Sequence, residues 1–260
     1  MGNSFSSTAG RGLLEAAARG DERSVARHVE AHPSSVCFTR LLDRSTPLLV
    51  AAAAGHHRVV QQLVEAAVMS CGPERVPALL NHTNRKGQSP LILACAHGHA
   101  QVVEYLLLNG ANPLVLDASR RNTCLIWAAA HSHAGCVGRM LSGRAAYQLP
   151  SGASCPVADI PCWDEDGSTR VRFVDRHNAA GLTALHAAAL RGSLGTAAAL
   201  VRGGADLFAR TAPPRGGAAC PLPLPPGSSA LHVAALQGDL PMVRLLLESQ
   251  QEGGRGGGRD

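Results

Sequence analysis

One short string returns along this chain in the same register. Thr46-Pro47-Leu48-Leu49-Val50-Ala51-Ala52 is followed by Ser89-Pro90-Leu91-Ile92-Leu93-Ala94-Cys95 and Thr123-Cys124-Leu125-Ile126-Trp127-Ala128-Ala129. Thr183-Ala184-Leu185-His186-Ala187-Ala188-Ala189 and Ser229-Ala230-Leu231-His232-Val233-Ala234-Ala235 come next, and a worn copy, Leu13-Leu14-Glu15-Ala16-Ala17, stands near the start. Repetition at intervals of tens of residues predicts a stack of small units, each burying its apolar face against its neighbours.

Each copy reads as a helix, a turn and a second helix. Ser or Thr caps the first helix, and Pro is tolerated in its first turn because no helical donor is lost there. Leu and the Ala three residues later share a face, and the small Ala lets the next helix approach. A turn follows at Gly20, Gly55, Gly98, Gly192 and Gly238, with Ser132 in the fourth copy. The second helix carries paired apolar positions: Val59, Val60, Leu63 and Val64, then Val102, Val103, Leu106 and Leu107, then Met242, Val243, Leu246 and Leu247. This is the one-sided pattern of an amphipathic helix.

Composition agrees with short, closely packed helices. The chain is 45% hydrophobic but 3% aromatic, so its apolar material is mostly Ala, Leu and Val rather than the aromatics a β-sandwich favours. The uninterrupted apolar stretch Leu48–Ala54 is far shorter than the roughly 18 residues of a membrane span. The net charge of +5 comes from scattered arginines, Lys86 being the only lysine. Without clustered cations and stacking aromatics, no nucleic-acid partner is expected. The 8 cysteines form no Cys-x-x-Cys pair and no hydrophobic leader opens the chain, so the expectation is a reduced, intracellular protein.

On these residues the chain resembles an ankyrin-repeat protein, and the endings Leu106-Leu107-Leu108-Asn109-Gly110-Ala111-Asn112-Pro113 and Gly203-Gly204-Ala205-Asp206 fit the same grammar. The expected fold is an all-α ankyrin-repeat solenoid of about six units over residues 11–249. The first Leu of successive copies falls at 13, 48, 91, 125, 185 and 231, which implies inserts near 66–80, 142–176 and 207–226. These are expected to form surface loops, the last two mobile. Residues 1–10 and the Gly/Arg-rich tail 250–260 are expected to be disordered. Leu245, Leu246 and Leu247 should leave an apolar edge uncovered, which suggests a chain that continues beyond Asp260.

The arrangement further resembles the N-terminal part of plant ankyrin-repeat RING-type E3 ubiquitin ligases. The resemblance rests on Met1-Gly2, on Arg121-Asn122-Thr123-Cys124-Leu125, and on an insert with Trp163 leading through Arg172-Phe173-Val174 to Gly181-Leu182-Thr183-Ala184-Leu185-His186. A second insert leads into Pro226-Gly227-Ser228-Ser229-Ala230-Leu231-His232. It implies an array that recruits a protein partner, such as a kinase or a ubiquitination substrate, for a RING that binds zinc. A RING needs paired Cys/His ligands converging on each zinc, and the cysteines here never pair. This chain is therefore expected to be the recognition part, without catalysis or cofactor of its own; zinc would enter only with a RING outside it. A free-standing ankyrin adaptor is the competing reading, and a monomer is expected in either case.

Candidate sites follow from the stacking. The residue just before the turn is Arg19, Ala54, His97, His131, Arg191 and Gln237 in successive copies, a row predicted to line a concave face. Loop tips add Arg85, Lys86, Arg120, Arg121, Arg176 and Arg210, so an acidic or phosphorylated protein segment is the expected ligand. Trp127 replaces an aliphatic residue and is expected in the core, with an interface anchor as the alternative. Met1-Gly2-Asn3-Ser4-Phe5-Ser6 fits the N-myristoylation pattern at Gly2, which predicts a cytoplasmic protein reversibly associated with the plasma membrane. His97/His99 and His131/His133 look like metal pairs, but His56, His99 and His133 share one repeat position, where a structural hydrogen bond is expected. Asp164-Glu165-Asp166-Gly167 lacks the alternation of a calcium loop. His186 and His232 are read as structural, and enzymatic motifs are absent from the sequence.

Overall fold

The computed structural model describes residues 3–144, 146–148, 154–164, 169–215 and 224–255. They form two compact units, Met1–Ser119 and Arg120–Asp260, each built on three helical pairs. The first unit holds α1 (Asn3–Arg19) and α2 (Glu22–Ala31), α3 (Pro47–Ala54) and α4 (His57–Cys71), a short α5 (Val76–Leu80), and α6 (Pro90–His97) with α7 (Ala100–Leu108). The second holds α8 (Cys124–Ala130) and α9 (Ala134–Leu141), α10 (Ala184–Leu190) and α11 (Leu194–Arg202), and α12 (Ala230–Gln237) and α13 (Leu240–Arg255). No helix among the described residues is long and apolar enough to cross a membrane.

Caps define the helix starts as the sequence predicts. Leu49, Ile92 and Ile126 donate their backbone N–H groups to Thr46 Oγ1, Ser89 Oγ and Thr123 Oγ1 at 3.2, 3.3 and 3.2 Å. Each turn needs a left-handed residue; Gly55 and Gly98 supply it at φ 78° and 84°, while Ser132 adopts it at φ 63° with a side chain in place. The apolar pairs of the second helices are buried: Val59, Val60, Leu63 and Val64 in α4, and Val102, Val103, Leu106 and Leu107 in α7. Burying a side chain of this size contributes roughly 1.5–3 kcal/mol, so the stacked helices rather than the loops carry the stability.

The inserts depart from the expected loops. Residues 66–80 are helical: α4 runs to Cys71 and a 3-10 turn, Pro73–Arg75, leads into α5, where Leu79 and Leu80 are buried. The insert at 142–176 contains two antiparallel hairpins, β1 (Ala146–Gln148) with β2 (Ser154–Pro156) and β3 (Pro161–Trp163) with β4 (Arg170–Arg172). Val157, Ile160, Cys162, Phe173 and Val174 form a small core beneath them, which anchors a segment expected to be mobile. In the third insert, residues 216–223 lie outside the described set, and Thr211 N–H donates to the Ser228 carbonyl at 2.7 Å.

The ends differ as well. α1 begins at Asn3, within the segment expected to be disordered, and Gly10 on it is buried where a Cβ would meet the Phe38 ring. α13 continues to Arg255, Ser249 Oγ donating back to the Leu245 carbonyl at 2.8 Å. Leu246 turns inward and Leu245 is half-buried, so the exposed apolar edge is made by Leu236, Leu240 and Leu247.

Candidate functional site

The loops between helical pairs are joined by backbone hydrogen bonds. In the first unit Arg85 N–H donates to the Asp43 carbonyl at 3.0 Å and Ala118 N–H to the Lys86 carbonyl at 2.9 Å. In the second, Ala179 N–H donates to the Arg120 carbonyl at 2.8 Å and Ala212 N–H to the Gly181 carbonyl at 3.0 Å. The buried Asn178 amide adds a bond to Asn122 Oδ1 at 2.7 Å. Loop tips are thereby fixed relative to the helices behind them.

Within the second unit, between its own loops and α8, α10 and α12, lies a cleft of about 480 Å³. Its floor is apolar, made by Ile126, Leu182, Ala187 and Leu190, and its rim carries Arg120, His131, Arg191 and Gln237. All four rim residues are exposed. Gln237 Nε2 donates to the Leu190 carbonyl at 2.9 Å, tying neighbouring repeats together, whereas among the described residues no hydrogen bond or ion pair engages the Arg191 guanidinium. His131 Nδ1 lies 3.0 Å from the Trp127 carbonyl oxygen, and the His131 ring stacks between Trp127 at 5.2 Å and His133 at 6.1 Å. A cation at the end of an inner helix also offsets the helix dipole, so part of this row's charge serves the helices themselves.

Of the residues singled out from sequence, the cleft gathers Arg120, His131, Arg191 and Gln237, and Trp127 is half-buried beside it rather than enclosed in the core. Arg121 is exposed at φ 54° next to Arg120. Arg19, Ala54 and His97 are exposed at the equivalent places in the first unit, with Arg85 and Lys86 exposed at a loop tip. Arg85 Nη2 donates to the Leu41 carbonyl at 3.1 Å, so this cation also holds the preceding loop. Arg210 Nη1 likewise donates to the Gly227 carbonyl at 3.0 Å, and Arg176 is half-buried. Gly2 lies outside the described residues.

The histidines act as the repeat predicts. His56 Nε2 and His99 Nε2 lie 3.1 and 3.0 Å from the carbonyl oxygens of Ala18 and Ala53 in the preceding repeats. His97 Nδ1 lies 2.9 Å from the Leu93 carbonyl oxygen and its ring stacks on His99. His186 and His232 complete capping boxes with Thr183 and Ser229. Asp164 accepts from the His177 backbone at 3.1 Å and pairs with its ring at 2.9 Å, an anchor for the insert that spacing alone did not suggest. Two further features escaped sequence reasoning: the apolar floor, whose residues look like ordinary core positions, and the approach of Cys37 to Cys71.

A profile of ankyrin repeats in three copies matches residues 13–117, 66–151 and 110–255. The chain belongs to the ankyrin-repeat family, whose repeats mediate protein–protein interaction. Among curated proteins it is similar to the probable E3 ubiquitin-protein ligase XBOS32 of Oryza sativa subsp. japonica, 32% identical over 81% of this chain and 41% of that one. The E3 ubiquitin-protein ligase XBAT32 of Arabidopsis thaliana is also 32% identical, over 80% of this chain and 39% of the relative. The chain thus spans about two fifths of the length of these relatives. Among solved structures, the ankyrin repeat domain of Bcl-3 superposes with a TM-score of 0.63 at 24% identity, over 92% of this chain and 85% of that one. An ankyrin repeat domain from Acinetobacter baumannii gives 0.62 at 21% identity, over 92% and 97%. These likenesses establish the fold.

Proposed function

We propose that this chain is the substrate- or receptor-recruiting part of a RING-type E3 ubiquitin ligase, and that the cleft of the second unit receives an acidic or phosphorylated protein segment. The observation that supports it most is Arg191, a cation with no engaged partner among the described residues, set beside His131 and Arg120 above an apolar floor. Such a rim suits a carboxylate or phosphate, which a guanidinium binds through paired hydrogen bonds, while apolar residues flanking the charge fill the floor. The similarity to plant E3 ligases supports the ligase connection. Catalysis would belong to a zinc-binding RING supplied outside these residues.

Charge reversal at Arg120, His131 and Arg191 tests the cleft. Partner affinity should fall by about tenfold or more, with weaker salt dependence, as lost charge-assisted contacts require; unchanged affinity overturns the reading. A free-standing adaptor is the second reading, since ankyrin repeats are the family that the chain itself matches. Reconstitution of ubiquitin transfer with the full-length gene product separates the two.

Gly2 within Met1-Gly2-Asn3-Ser4-Phe5-Ser6 is proposed to carry a myristoyl chain, giving a cytoplasmic protein reversible contact with the plasma membrane. A Gly2→Ala form with unchanged membrane partitioning would reject it.

A further inference from the structure

Two cysteines distant in sequence meet in the first unit. Cys37 ends the 3-10 turn Pro33–Cys37, and Cys71 ends α4, which packs on that turn. Their sulfur atoms lie 3.5 Å apart, one thiol donating to the other. Cys37 is exposed and Cys71 half-buried, whereas Cys95, Cys124, Cys136 and Cys162 are buried. A cleft of about 320 Å³ opens beside Cys37, with Arg75 and His82 on its walls, so a small solute reaches the pair. Gly72 follows Cys71 at φ 84°, a backbone position with freedom to adjust.

We propose that Cys37 and Cys71 are a peroxide-oxidisable dithiol, a modification site at which a disulfide joins the 3-10 turn to the end of α4. Hydrogen peroxide oxidises one sulfur to sulfenic acid with release of water. The second thiol then attacks that sulfur, a second water leaves, and the S–S bond forms. Two thiols and one peroxide give one disulfide and two waters, so the electrons balance. The sulfurs must close from 3.5 Å to the roughly 2.05 Å of a disulfide, a movement of about 1.5 Å. Partial desolvation of the sulfur, followed by the hydrogen bond and charge of Cys71, pushes the Cys37 thiol up to about 11 against the opposing pull of Arg75. The resting pair is therefore protonated, and its small thiolate fraction makes oxidation by peroxide slow.

The consequence is mechanical. The loop tip that begins three residues after Cys37 carries Leu41 and Leu42 at 88% and 80% exposure, and the disulfide would fix its root to α4.

The full chain, purified reduced, is treated with hydrogen peroxide, blocked with iodoacetamide and digested. The expected product is a Cys37–Cys71 cross-linked peptide lighter by two hydrogen atoms, formed roughly tenfold in excess of any other pair because these two sulfurs already lie 3.5 Å apart. The oxidised protein should melt several degrees higher, and dithiothreitol should reverse both effects. Cys37→Ser and Cys71→Ser should fold, melt like the reduced protein and lose the peroxide-induced shift. Oxidation of Cys37 to sulfinic acid without the cross-link overturns the proposal, as does preferential pairing of either cysteine with another residue or between molecules.

Discussion

His186 joins two repeats. Its Nε2 donates to the Ser228 carbonyl at 3.1 Å while its Nδ1 accepts from Thr183 N–H at 3.3 Å, so one neutral imidazole closes its own helix cap and holds the start of the next repeat. Burial is the main cause of its low basicity: it depresses the pKa to about 4 despite the Ser228 contact, with the positive charge of His177 adding to the fall.

This neutrality limits acid stability. The unfolded chain takes up a proton near pH 6.5 and the folded protein only near pH 4, so stability falls as the pH drops between those values. The loss should approach about 3 kcal/mol by pH 4. Denaturant titrations at pH 7, 5.5 and 4.5 measure it. In His186→Gln the slope over this range should shrink; an unchanged slope would assign the acid sensitivity to another group.

His177 behaves in the opposite sense. Burial acts to lower its pKa, but the hydrogen bond and charge of Asp164 outweigh it and the net shift is upward. Its contribution is fully present below the unfolded pKa near 6.5 and is lost as pH rises through the higher folded value. Asp164→Asn should remove this dependence, seen as a His177 NMR titration shifted to lower pH. A titration midpoint unmoved by the substitution contradicts the pairing.

Gly181 has no room for a side chain. Its φ is 74°, and an added Cβ would lie 1.9 Å from the Ala212 carbonyl oxygen, the backbone of the adjoining loop. Gly181→Ala should destabilise the protein by about 2–4 kcal/mol through strain and displacement of that loop. Gly143, at φ 72° with nothing among the described residues near its missing Cβ, is the control and should cost only about 1 kcal/mol. Equal losses at the two sites would mean that backbone conformation alone decides.

Thr123 is buried at the start of α8 and accepts the Ile126 N–H. Thr123→Ala should cost about 1–2 kcal/mol, since the orphaned donor has no water to turn to, and thermal unfolding measures it. Serine at this position should restore most of the loss.

Why some of this was visible in sequence and some was not has a physical basis. The six helical pairs follow from Leu and Ala at fixed spacing, because stacking forces equivalent residues into equivalent environments. Stacking likewise leaves Arg19, Ala54 and His97 exposed at equivalent positions of the first unit, and His131, Arg191 and Gln237 at those of the second. The hairpins were not, since strands of three residues such as Pro161–Trp163 are too short to show alternation. The helix Val76–Leu80 hides behind Pro73 and Pro77, which read as breakers yet sit in the first turns of their segments. Trp127 was expected inside because aromatics bury well, but its ring lies on His131 at the cleft edge. The Cys37–Cys71 approach arises from tertiary packing across 34 residues, and no local motif encodes it.

The insert between α9 and α10 has one more implication. The chain leaves the array at Leu141, builds two hairpins over their own small core and returns, yet α8 still packs on α10 and α9 on α11 as in uninterrupted repeats. The frame thus tolerates a long ornament at this junction. A lineage could lengthen, shorten or exchange the hairpins while the helices behind them kept their places, and a protein engineer could use the same junction to graft a foreign loop. Novelty at this position need not endanger the scaffold that displays it.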